Sequence, residues 1–143
     1  MRRIIAIMLS FVMTLGMSTT AFADPEAETP VGIEITEDYL YTNKISSDLS
    51  ISNHTATCKS VVRGDSSVVT KVEVTHTLQK QIYGYWSDIE SWSKTVNTWY
   101  VIYTTSRSNL SAGMFRLKTV AKVYSGSNYE TITVYSIEKS SVN

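Results

Sequence analysis

"MFRLKTVAKVY", residues 114–124, decides the fold. Phe115, Leu117, Thr119, Ala121 and Val123 alternate with Arg116, Lys118, Val120, Lys122 and Tyr124. A period of two puts the first set on one face of a β-strand and the cations on the other. The pattern recurs in "VTKVEVTHTLQK" (69–80), where Thr70, Val72, Val74, His76 and Leu78 share a face. It recurs again in "NHTATCKSVVRG" (53–64), where Ala56, Cys58, Ser60 and Val62 point inward. "YETITVYS" (129–136) turns Ile132 and Val134 the same way. Such alternation belongs to antiparallel sheets with one wet face.

Strands are predicted near 39–45, 49–52, 54–62, 69–79, 88–96, 99–105, 114–124 and 129–136. Between them lie turn clusters at Ser52-Asn53, Gly64 to Ser67, Ser106 to Gly113 and Ser125 to Asn128. Seven or eight short strands at this spacing predict an all-β fold, an antiparallel two-sheet sandwich. Gly113 stands two residues before Phe115 at the start of a long strand, much as G-x-Y does in immunoglobulin-like sandwiches. Phenylalanine lacks the hydroxyl that ties down a loop there, so the likeness is partial; an Ig-like topology is the reading preferred.

Outward from this block, the chain divides into 1–23, 24–38 and 39–143. Arg2-Arg3, an uncharged apolar run from Ile4 to Met17, and Ala21-Phe22-Ala23 read as a signal peptide cleaved after Ala23. The run is shorter than the roughly 20 residues of a membrane span, so none is expected once it is removed. Cleavage would leave 120 of the 143 residues, enough for one small domain in an extracellular compartment. Residues 24–38 hold six acids, no base and both prolines, and read as a flexible leader. From Tyr39 onward there are 11 bases and seven acids, an excess too small and scattered to argue nucleic-acid binding.

Cys58 is the only cysteine, so no internal disulfide can staple the fold. Its place among inward residues reads as a small buried apolar group rather than a nucleophile or a bridge to a second chain. A secreted domain without disulfides suits a Gram-positive bacterium.

Four segments carry a resemblance: "YLYTNKISSDLSISNHTATCKSVVRG", "VTKVEVTHTLQK", "WSDIESWSKTV" and "GMFRLKTVAKVYSGSNYETITVYS". With their motifs A-x-C-x-x-x-V-x-G and S-W-S-K, they resemble small secreted β-domain proteins of Gram-positive (Firmicute) gut bacteria, a domain-of-unknown-function family. The resemblance runs from about Tyr39 to Ser136. It implies a secreted β domain and offers no catalytic residues; "NTWYVIY" (97–103) is bulkier and more aromatic than the family's Gly-Ser turns.

Arg63-Gly64-Asp65 matches a cell-adhesion tripeptide, yet a reversal is needed there in any case. Gly64 is expected to supply positive φ and Asp65 local hydrogen bonds, at an exposed loop tip. The turn reading is preferred to receptor binding. For a binding surface the candidates are Tyr83, Tyr85, Trp86, Trp92, Trp99 and Tyr100, part of an aromatic-rich stretch that holds all three tryptophans. Exposed rings in a row stack on sugars or receive a protein partner; filling the core is the competing use.

Catalytic and metal motifs are missing from the sequence, and no cofactor is expected. His54 reads as a turn residue and His76 as a strand residue, neither with a second ligand at metal spacing. Asp88 and Glu90 form a D-x-E pair on one predicted strand face, read as a solvated edge. The sequons at Asn53 and Asn109 read as turn chemistry. The expected protein is secreted and non-catalytic, binding an extracellular glycan or protein through aromatics. The alternative is a structural or envelope-associated protein with no discrete ligand.

Overall fold

The structure, a computed structural model, describes residues 33–35 and 39–143. The predicted signal peptide and most of the acidic leader lie outside the described residues. Seven long strands and two short ones are present: β1 (Ile33–Ile35), β2 (Thr42–Ser52), β3 (Thr55–Gly64), β4 (Lys71–Ile82), β5 (Tyr85–Val96), β6 (Tyr100–Arg107), β7 (Gly113–Ser125), β8 (Asn128–Tyr135) and β9 (Lys139–Ser141). They form an all-β sandwich. One sheet runs β1-β2-β3-β6 and the other β5-β4-β7-β8, with β9 pairing the start of β7. All pairings are antiparallel. No helix occurs among the described residues, and none there is long and apolar enough to cross a membrane.

Two hairpins are closed by pairs of residues at positive φ. Asn53 and His54 (φ 51° and 59°) join β2 to β3, and Tyr83 and Gly84 (φ 51° and 83°) join β4 to β5. Two successive left-handed residues match the right-handed twist of the flanking strands. Ile33–Ile35 falls within the acidic stretch, and it pairs with Ile45–Ser47 of β2. The predicted strands 39–45 and 49–52 are one continuous strand, β2. The "ISSDL" segment runs through the sheet with Ser47 inward and buried.

The inward faces are those of the alternation, and they pack in three layers. An upper cluster holds Ile45, Val62, Val72, Val74, Val123 and Ile132; a lower one holds Leu49, Ala56, Cys58, Leu78, Phe115 and Leu117. Between them each of four strands contributes one buried polar residue: Ser47, Ser60, His76 and Thr119. Ser47 is in register with Ser60, and His76 with Thr119. Across the gap Ser60 Oγ lies 2.8 Å from His76 Nε2, and Ser47 Oγ 2.9 Å from Thr119 Oγ1. The four close a ring of contacts that crosses the sandwich twice. Buried polar groups are tolerable only when paired, and these are.

Candidate functional site

Arg63-Gly64-Asp65 is not a loop tip. Arg63 is paired with Tyr100 inside the sheet, and Gly64 is a buried last residue of β3. Gly64 does not adopt positive φ. Its lack of a side chain serves close approach instead: a Cβ would meet Val69 Cγ2 at 2.6 Å and the Tyr41 carbonyl oxygen at 3.1 Å. Asp65 performs the expected turn chemistry, its Oδ1 accepting from the Ser67 amide at 2.9 Å and the Ser67 hydroxyl at 2.6 Å. Those two bonds hold its carboxyl below the usual range. The tripeptide thus has a structural use, with Arg63 in the ladder, Gly64 under Val69 and Asp65 opening the turn.

The six aromatic candidates are divided among four settings. Tyr83 and Tyr85 project from the β4–β5 tip, 96% and 78% exposed, beside Ile82 at 41%. Trp86 lies on the outer face of the second sheet. There the Arg116 guanidinium carbon is 4.4 Å from the Trp86 ring and 4.2 Å from the Tyr135 ring. Arg116 Nε donates to Gln79 Oε1 and Gln79 Nε2 to Asp88 Oδ1, both at 2.8 Å, so the stack is locked in plane. Trp92 is half-buried against the lower core and in register with His76. Trp99 and Tyr100 stand at the far end of the sandwich, ring centroids 5.7 Å apart. Twelve residues of β5 at about 3.3 Å each separate that end from the tip. These rings do not make one surface.

A bulge rearranges the rest of β5. Leu78 pairs with Glu90 but Gln79 with Asp88, leaving Ile89 as the extra residue. Asp88 therefore turns to the outer face and Glu90 to the inner side, where its Oε1 meets Arg107 Nη1 at 3.2 Å. The two carboxylates do not share a face, contrary to the D-x-E reading.

Beside this bulge is a recess of about 270 Å³, unanticipated in sequence, lined among others by Lys80, Ile82, Ile89, Arg107, Leu110 and Phe115. Its parts come from β4, β5, β6, β7 and the loop between β6 and β7. Lys80 and Ile82 lie at inward positions of β4, beyond Leu78. Arg107 continues the inward series of Val101, Tyr103 and Thr105 on β6. The loop between β6 and β7 supplies Leu110, buried and anchored by its amide to the His54 carbonyl at 2.9 Å. Lys80 Nζ donates to Ser111 Oγ at 2.6 Å and stands 5.7 Å from the Phe115 ring centroid. Gly113 makes room for it, since a Cβ there would meet Lys80 Cε at 2.6 Å. Ile82 is paired with Tyr85, so that ring stands on the same side of the hairpin as the recess.

Ser60 beside His76 matches a nucleophile and its base in composition only. His76 is fully buried, its Nδ1 2.8 Å from Thr105 Oγ1 and its ring 4.6 Å from that of Tyr103. Burial pushes the imidazole down to about 4. A ring sealed from solvent on every side has no route to a substrate. Cys58 is likewise buried, and desolvation pushes its thiol up to about 11. Exposed His54 sits in its hairpin, and among the described residues no three His, Cys, Asp or Glu side chains gather as for a metal ion. No protein-family model matches the chain, and no significant match is found among curated proteins.

Proposed function

We propose that this is a secreted, non-catalytic binding module of the immunoglobulin-like kind, which engages an extracellular glycan or protein through its β4–β5 hairpin. The observation that carries the reading is the exposure of Tyr83, Tyr85 and Ile82 within four residues at a hairpin tip. Tyr83 and Tyr85 are the most exposed of the three, and burial in the core gives neither ring a reason to be there. Apolar groups gathered at one exposed point are a common mark of a contact surface.

The Ig-like assignment is supported by the strand order, β2-β3-β6 facing β5-β4-β7-β8, with hairpins at β2–β3, β4–β5 and β7–β8 and crossovers between the sheets at β3–β4, β5–β6 and β6–β7. It is also supported by Gly113-x-Phe115 at the start of β7. Secretion is supported by the basic, apolar and A-x-A segments of residues 1–23 and by a lone, buried thiol. Resemblance to secreted Gram-positive β-domain proteins agrees with both.

Immobilised bacterial envelope glycans and host mucin provide the test. The purified chain should be retained on one of them, and the Tyr83→Ser/Tyr85→Ser pair should elute early with an unchanged melting temperature. Equal elution of the variant from every surface would refute the hairpin reading and favour an envelope protein without a discrete ligand.

A further inference from the structure

We infer that the recess beneath the β4–β5 hairpin is a subsite for a carboxylate-bearing sugar ring, a uronic or sialic acid at the end of a glycan. The inference rests on the hairpin being a binding element and names what it binds.

Charge comes first. Two cations, Lys80 and Arg107, line one recess of about 270 Å³. Arg107 is already met by Glu90 at 3.2 Å. Lys80 is not: among the described residues its polar partner is the neutral Ser111 hydroxyl. One positive charge is therefore left without a counter-charge beside an apolar wall, and a carboxylate would meet it in a charge-assisted hydrogen bond.

Shape and surface chemistry narrow the class. Ile82, Ile89, Leu110 and Phe115 offer a carbon-rich floor, while Asn109 and Ser111 offer hydrogen-bonding groups at the rim. One apolar side and one polar side are what a pyranose ring presents. Tyr85, exposed and on the same side as Ile82, is available to stack on the next ring of the chain. The volume lies just below the roughly 300–1,000 Å³ of sites that enclose drug-sized ligands, so one ring fits and a longer segment would have to run out over Tyr85. The floor is preformed, because Leu110 is pinned by its backbone bond to His54 and Lys80 by the gap at Gly113, which lowers the ordering cost of binding.

Isotope-labelled full chain titrated with sialyllactose and with glucuronic acid, against lactose and glucose as neutral parents, tests this. The acidic sugars should shift the amides of Ile82, Leu110, Ser111 and Phe115, and the neutral parents should not. Lys80→Met keeps the unbranched stem in its slot and removes only the charge. It should weaken acidic-sugar binding roughly tenfold or more, the usual scale for a lost charge-assisted hydrogen bond, with an unchanged melting temperature. Lys80→Arg should restore part of it. Equal binding of neutral parents, undiminished binding by Lys80→Met, or stronger shifts from a peptide with a free C-terminal carboxylate would each overturn the proposal. Retention by Tyr83 and Tyr85 is read independently on the envelope and mucin surfaces, so failure here leaves the hairpin reading standing or falling on its own result.

Discussion

Ser60 Oγ on β3 and His76 Nε2 on β4 are 2.8 Å apart and join the two sheets at the middle of the sandwich. With Thr105 on the other ring nitrogen, both nitrogens of a fully buried imidazole are satisfied in either tautomer, since each hydroxyl can donate or accept. The contact also fixes alignment. A two-residue slip of β4 would set His76 among Val62 or Cys58 neighbours and leave it unpaired, at a cost that apolar packing alone would not impose.

This arrangement predicts an acid-sensitive fold. Unfolded, His76 takes up a proton below about 6.5; folded, not until about 4. Stability is therefore complete above pH 6.5 and is lost as pH falls from 6.5 towards 4, by on the order of 3 kcal/mol. Asp48, its carboxyl pushed up by burial against the opposing pull of Lys139 and Lys59, acts in the opposite sense. Its effect is common to wild type and variant and cancels in their difference. Urea melts across this range should show wild type losing stability with acid and His76→Gln losing less. Parallel profiles for the two would contradict the assignment.

Cys58 should be inert in the folded state. Its thiol is fully buried and raised to about 11, so thiolate is scarce at neutral pH and out of reach of reagent. A chromogenic thiol reagent at pH 8 should react only as fast as the protein unfolds, and fully in denaturant. Rapid labelling under native conditions would mean that β3 opens far more easily than its pairing on both edges suggests.

Much of this fold is legible in the sequence because alternation reports burial directly: the inward sets of β3, β4, β7 and β8 are those the alternation predicts. Other features are hidden in it. Ser46-Ser47-Asp48 falls between two predicted strands, since a serine facing a core looks out of place until Thr119 is known to oppose it. The bulge at Ile89 leaves no mark in composition, and it separates Asp88 from Glu90. Lys80 does carry a signal, a charge at the next inward position after Leu78, but a strand ended at Gln79 hides it. The aromatic candidates are neighbours in sequence, and a twelve-residue strand carries such neighbours to opposite ends of a domain.

Gly64→Ala should be the most damaging change in the Arg63-Gly64-Asp65 segment. The new methyl would press on Val69 and the Tyr41 carbonyl, and overpacking of this kind costs about 1–3 kcal/mol. Asp65→Ala should lower stability less, through the lost bonds to Ser67. Asp65→Glu should leave contact with animal cells unaltered. Adhesion by wild type that disappears in Asp65→Glu, with the fold intact, would restore the receptor reading.

The Trp86–Arg116–Tyr135 stack tests whether the outer face of the second sheet is held for stability or for a ligand. Arg116 is hydrogen-bonded to Gln79 and sandwiched by two rings at 4.4 and 4.2 Å, so its charge is already engaged. A cation on an aromatic face is worth about 0.5–1 kcal/mol at an exposed site, and two such faces place the expected loss for Arg116→Ala near 1–2 kcal/mol. A double-mutant cycle of Arg116→Ala with Trp86→Leu should return a coupling of about 0.5–1 kcal/mol. Retention of the Arg116→Ala protein on envelope glycan or mucin should match wild type, in contrast to the Tyr83→Ser/Tyr85→Ser pair, because the hairpin tip projects beyond the stack. Should Arg116→Ala lose retention while its melting temperature is unchanged, the ligand lies across the face of the sheet, and the tip is only its edge.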